Sequence, residues 1–391
     1  MKKIKIIFMY LFILLFFILS GCSHESENRH EIIEACYEYN EYNEYKIYYE
    51  YPLHYKCKIN NEIDEIISQP VGNAPVHYNY FYNYFHTLDE TLEIQIEETQ
   101  PIYIIIRGIE YCKSLEVLRL EDPYITDEDI LPLIYMTNLS ALIINNAQIS
   151  DLTPIKGLIN LTFLNLTSNN ISDISPLAGL INLEILNLTS NNISDIMPLS
   201  ELINLKHLQL QENKIYDISP LANLTELFIL DLRKNQIKDI TPLENLIDVM
   251  NLFLSHNHIS NIEPLKNIRG IGNLGILWLC HNKIEDLTPL RYIGAFWVLT
   301  LSNNNITDIS PIADVGIVNL TLANNNISDV TSFKRQVHID TLVLCNNQIT
   351  DISPLREIDN LYRLFVCNNP FGHSPYFYNI IFIYDGCSSC Y

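Results

Sequence analysis

A unit of 22 residues recurs from about residue 92 to residue 371, and no other feature constrains the fold as strongly. Leu161 to Leu177 and Leu183 to Leu199 are nearly copies of each other. The unit reads Leu-x-x-Leu-x-Leu-x-x-Asn-x-Ile-x-Asp-Ile-x-Pro-Leu-x-x-Leu. Its Asn column holds Asn169, Asn191, Asn213, Asn235, Asn257, Asn282, Asn304, Asn325, Asn347 and Asn369, with one interval of 25 residues and one of 21. Ala147 and Pro123 occupy this column in two earlier, less regular units, and Leu92 to Thr99 reads as a partial one. A fixed period of this length means a solenoid, because one unit cannot bury its own apolar face and must stack on the next. The usual product is a long surface on which another molecule can lie.

Each column carries its own chemistry. Leu186-Asn187-Leu188 alternates as a short strand does, with every second residue turned inward. Stacking in register sets such strands side by side as a parallel sheet. The Asn sits where the chain turns, and its amide can both donate to and accept from backbone groups left unpaired there, at about 1 kcal/mol net per bond. Ile171 and Ile174 re-enter the core. Ser175-Pro176 reads as a helix start, with Ser as the cap and Pro at the first helical position. Eight other units carry the Pro after Ser, Thr, Met or Glu in the same way. Few residues remain before the next strand, so the return must be a turn or two of 3₁₀ or α-helix.

These columns resemble the leucine-rich-repeat family, and within it the bacterial 22-residue class found in internalins. The resemblance covers about 280 of the 391 residues. It implies an α/β solenoid: a leucine-rich-repeat horseshoe with a parallel β-sheet on the concave face and short 3₁₀/α turns on the convex face. It also implies a protein partner on the concave face, with adhesion or surface recognition as the role. It brings no catalytic residue, because the family's repeat contains none. Searches for hydrolase, zinc-protease and phosphate-loop motifs find nothing, so no enzyme and no cofactor is expected.

The N-terminus reads as a targeting segment. Lys2, Lys3 and Lys5 precede an apolar run from Ile6 to Leu19, and Leu19-Ser20-Gly21-Cys22 follows. The run is short for a membrane-spanning helix. The four residues resemble the lipobox of bacterial lipoproteins, which implies that Cys22 carries acyl chains and anchors the protein to the outer side of a membrane. Residues 1–21 are then a signal peptide and 22–60 a Tyr-rich spacer, with Tyr39, Tyr42, Tyr45, Tyr48 and Tyr51 at every third position. An alternative reading makes that segment a glycan or envelope contact, in a structural or glycan-binding protein. Residues 61–100 are expected as an N-terminal cap, 101–371 as the solenoid and 372–391 as a C-terminal cap.

Charge narrows the partners. The chain carries −22, and about −25 once the three leading lysines are removed. Nucleic acid is therefore not an expected partner. Gly270-Ile-Gly272-Asn-Leu-Gly275 matches a dinucleotide fingerprint, but Ile276-Leu-Trp-Leu aligns with the repeat strand, where a helix would be needed. A three-residue insertion at the turn is the expected meaning, and nucleotide is not an expected ligand. The recurring Asp residues, such as Asp173 and Asp239, read as turn residues bonding nearby N–H groups; one carboxylate per coil is thin for calcium, and no metal is expected. Cys345 and Cys367 share a column on neighbouring strands. Parallel strands point both side chains the same way, so a bond there is possible without being favoured.

Function should be written in the strand positions that face outward. On neighbouring strands these include Ile229, Asp231 and Arg233, then Phe253, then Ile276 and Trp278, then Val298. The preceding coils show polar Asn165, Asn187, Gln209 and Gln211 instead. An exposed apolar cluster with a polar rim marks a contact site, and Trp is a preferred anchor. The competing expectation is that the rings cover one another and bind nothing.

Overall fold

The computed structural model describes residues 58–59, 62–63, 103–335, 339–358, 361–371 and 381–383. Cys22, the apolar run and the Tyr-rich segment lie outside them. The chain forms two compact units, residues 1–102 and 103–391. In the first, the strands β1 (Lys58–Ile59) and β2 (Glu62–Ile63) pair antiparallel. Among the described residues no helix is long and apolar enough to cross a membrane.

The second unit is built on one sheet of 13 strands in sequence order, from Val117–Leu120 to Ile381–Ile383. Every pairing in it is parallel and joins equivalent positions, as in Leu208, Leu230, Leu252 and Leu277. Those leucines are fully or almost fully buried, as are Ile171, Ile193, Ile215 and their equivalents on the far side of each coil. The core is thus a continuous apolar rod of stacked Leu and Ile side chains. Short 3₁₀ segments, such as Ser175–Leu177 and Thr241–Leu243, close the other wall. This is the leucine-rich-repeat solenoid that the columns imply.

The Asn ladder forms as its chemistry requires. Asn213 Nδ2 donates to Leu188 O on the preceding coil at 3.0 Å and to Leu210 O on its own at 3.1 Å. Its Oδ1 accepts from Ile193 N at 3.0 Å. The same three bonds recur from Asn169 to Asn369. Each amide therefore ties two coils together, and each bridged carbonyl accepts from two ladder amides, as Leu188 O does from Asn191 and Asn213.

Three expectations need correction. The residues before Pro are not caps: each Pro-bearing 3₁₀ segment begins on that residue, and no side-chain cap comes from the Ile or Leu before it. The aspartate two residues upstream holds the free N–H instead, as Asp173 Oδ1 does for Ser175 N at 2.8 Å. This explains why Met197 is tolerated, since Asp195 Oδ1 accepts its N–H at 2.8 Å. Secondly, residues 103–112 are not a coil. Tyr103–Ile106 and Ile109–Cys112 form an antiparallel hairpin. Arg107 and Gly108 both take positive φ, 49° and 80°, the geometry of a tight two-residue hairpin turn. Thirdly, the sheet extends past residue 371, because Ile381–Ile383 pairs with Arg363–Phe365.

The 25-residue coil keeps the sheet's order and lengthens its strands. Asn273–Trp278, Ala295–Thr300 and Gly316–Thr321 are six residues long, against three or four in the other strands of this sheet, with register shifts around Gly275. The glycine-rich match serves this close stacking: a Cβ on Gly272 would collide with the carbonyl of Ile293.

Candidate functional site on the concave sheet

Register puts the outward residues in three columns. The middle one runs Asn165, Asn187, Gln209, Asp231, Phe253, Trp278, Thr300, Thr321, Val343 and Phe365. Ile229, Ile276 and Val298 lie in the column before it, and Arg233 in the column after it. All seven candidate residues therefore share one surface, spread over four neighbouring strands.

Their exposure differs from the expectation. Phe253 is 2% exposed, Asp231 1%, Ile229 4% and Ile276 8%, so these four are interior residues and not an open apolar patch. Arg233, Trp278 and Val298 remain half-buried. The reason is side-chain length, which strand alternation does not register. The Phe253 and Trp278 rings meet edge to face at 4.9 Å. The Arg233 guanidinium lies 4.9 Å over the Trp278 ring and 5.3 Å over that of Phe253. Asp231 in turn grips Arg233, with Nη2 at 2.6 Å and Nε at 2.9 Å. A buried carboxylate needs such a bidentate partner, and a planar guanidinium can serve it while stacking on aromatic faces. The rings do cover one another, and the arginine closes over them. What the surface offers is the outer part of Arg233, Trp278 and Val298. Trp278 Nε1 is turned inward, buried without a hydrogen-bond partner.

The face is also nearly free of charge. In its three columns from residue 163 to residue 367 the charged side chains are Asp231, Arg233 and Arg363, although the chain as a whole carries −22. The acidic load lies elsewhere, much of it on the exposed turn aspartates. Hydrogen bonds from the Ser175 backbone and hydroxyl hold the Asp173 carboxyl below its ordinary range, and the hydroxyl and N–H of Thr241 do the same for Asp239. Among the described residues no group of three or more His, Cys, Asp or Glu is placed to hold a metal.

At the C-terminal end Cys345 and Cys367 are joined as a disulfide, with Cα atoms 4.5 Å apart. The bond left open by the parallel strands is therefore made, at a Cα separation within the ordinary disulfide range. The bridge sits beside Ala323, with Val343 and Phe365 packed against it.

One feature of this rim escaped the sequence reading. The residue before each ladder Asn has positive φ in every coil from Asn146 to Asn368. These residues stack along the solenoid. Ser190 Oγ donates to Glu212 Oε2 at 2.6 Å, and Lys234 Nζ reaches Glu212 Oε1 at 2.5 Å. The His256 and His281 rings stack at 4.0 Å with 13° between their planes. The visible signal was Asn at four successive positions, 303, 324, 346 and 368, because Asn tolerates the left-handed conformation.

Comparison with known proteins agrees with this architecture. Residues 159–202 and 203–245 each match the family model for leucine-rich repeats in two copies. An internalin (inlF) of Listeria monocytogenes is 34% identical over 67% of this chain and 77% of that one, with a TM-score of 0.61. Internalin C2 of the same organism is 33% identical over 55% of this chain and 85% of that one, with a TM-score of 0.44. A leucine-rich-repeat protein of Leptospira interrogans is 19% identical over 66% and 82%, with a TM-score of 0.47. No functionally curated protein matches the chain. Periodicity, ladder, sheet and the match to inlF converge: the chain belongs to the internalin-like family of bacterial leucine-rich-repeat proteins.

Proposed function

We propose that this protein is a recognition module held outside the bacterial cytoplasm, where its concave sheet binds another protein in adhesion or surface recognition. Acylation of Cys22 would anchor it to the membrane. The observation that carries the reading is the contrast between columns. Leu, Ile, Asn and Asp recur coil after coil, while the outward positions differ and gather Arg233, Trp278 and Val298 around a rigid buried base. A preformed platform loses little ordering entropy on binding. Because the face is nearly uncharged, binding should depend little on salt.

Site-specific crosslinking on intact cells tests this. A photo-reactive side chain at Val298 should capture a discrete protein adduct, and one at Tyr216, 66% exposed but away from the outward columns, should not. Equal capture at both positions would move the site off the concave face. Cys22→Ser should release the protein from membranes; a variant still membrane-bound would end the lipoprotein reading.

A further inference from the structure

We propose that the stacked His256–His281 pair is an acid-sensitive latch between the coil of Phe253 and the coil of Trp278, and that its protonation opens the concave face there. The inference takes its biological meaning from the binding site proposed above, yet the latch can be tested without a partner. The two rings bridge the longest interval of the repeat, where the 25-residue coil breaks the rhythm. Centroids 4.0 Å apart suit two neutral rings, whereas two imidazolium ions at that distance repel. A second contact also requires the neutral form. Asn303 Nδ2 lies 3.1 Å from His281 Nε2, and an amide nitrogen can only donate, so Nε2 must offer a lone pair. Protonation at Nε2 destroys that bond.

The surroundings make protonation costly. The preceding coil brings Arg233 and Lys234 toward His256. Their carboxylates are already engaged, Asp231 with Arg233 and Glu212 with Lys234. His258 and Lys283 follow two residues along on the same two coils, and Asn303 lies beyond His281. No uncommitted carboxylate faces the pair from these neighbours. Burial first, then His281, Lys234 and Arg233, push His256 down to about 4, and burial pushes His281 down. The rings are therefore neutral at neutral pH. When both take protons, cations accumulate beside the guanidinium that lies over Trp278.

The indole N–H resonance of Trp278, identified by its loss in Trp278→Phe, reports the event in the intact protein. Between about pH 7 and about pH 3.5 it should move with a midpoint near 4, while far-UV circular dichroism stays native. His256→Phe keeps a stacking ring that cannot charge, and should abolish most of the movement. An equal movement in that variant, or none in the native protein, overturns the latch. Should His256→Phe not fold, His281→Phe is read in the same way. If the titration holds but crosslinking at Val298 fails, the binding reading falls and the latch stands.

Discussion

The coils up to His281 and the coils beyond it share one scaffold and use it differently. In the first run the left-handed rim position holds Asn146 and then Ser168, Ser190, Glu212, Lys234, His256 and His281. In the second it holds Asn303, Asn324, Asn346 and Asn368. Forcing an ordinary L-residue into that conformation costs about 1–2 kcal/mol, and Asn relieves much of it. The concave columns divide at the same place. The first run carries amides, the Asp231–Arg233 pair and the Phe253–Trp278 ring contact; the second carries Thr300, Thr321, Val343 and Phe365, the small Ser302 and Ala323, and the Cys345–Cys367 bridge. The second run is a low-strain, covalently closed scaffold. The first accepts strain and buried polarity in exchange for side chains that reach one another across coils.

That comparison breaks most visibly at Phe253. Truncating a ring 2% exposed leaves a cavity under Trp278, and Phe253→Ala should cost about 3–5 kcal/mol in urea unfolding. Val343→Ala, at the equivalent half-buried position of the second run, should cost about 1 kcal/mol. Similar losses at the two sites would mean that the aromatic knot contributes nothing special. Next comes the ladder, which should ignore the division. Asn213→Ala and Asn347→Ala each remove bonds to two buried carbonyls and one buried N–H, so each should cost about 2–3 kcal/mol. A clear difference between them would show that one run relies on the ladder more than the other does.

Much of this was legible in residue order. The Leu, Ile and Asn columns named the rod and its spine, because a fixed period turns each residue type into a position in space. The turn aspartates were readable for the same reason, although Ser175 was mistaken for the cap that Asp173 provides. Burial on the concave face was not legible. Alternation says that Phe253 leaves the sheet outward; it cannot say that an arginine two positions along the neighbouring coil will fold over it. The left-handed rim was legible only in part: Asn303, Asn324, Asn346 and Asn368 suit that backbone, whereas Ser168, Glu212 or His256 at the same position give no sign of it.

A smaller effect tests the turn. Asp239 accepts from the N–H of Thr241 at 2.9 Å and from its hydroxyl at 2.6 Å. Asp239→Ala should lose about 1 kcal/mol at neutral pH, as other cap removals do. Its folded carboxyl titrates below its ordinary value, so the contribution is complete above that value and fades as pH falls through the lowered one. Urea midpoints of the two proteins should converge in acid; a gap that persists there would assign the loss to something other than the charged carboxylate.

The smallest effect reaches the strain itself. Ser168 has φ 56° and belongs to the run that tolerates strain. Ser168→Asn converts its rim position to the chemistry of the second run and should stabilise by about 0.5 kcal/mol, while the β-branched Ser168→Val should destabilise by about 1 kcal/mol. Ser168 suits this test because its rim neighbour is another serine, Ser190, and the exchange leaves the Glu212–Lys234 pair and the histidine stack in place. If Asn and Val shift the midpoint alike, conformational strain does not separate the two runs, and their difference lies wholly in the side chains stacked along the rim.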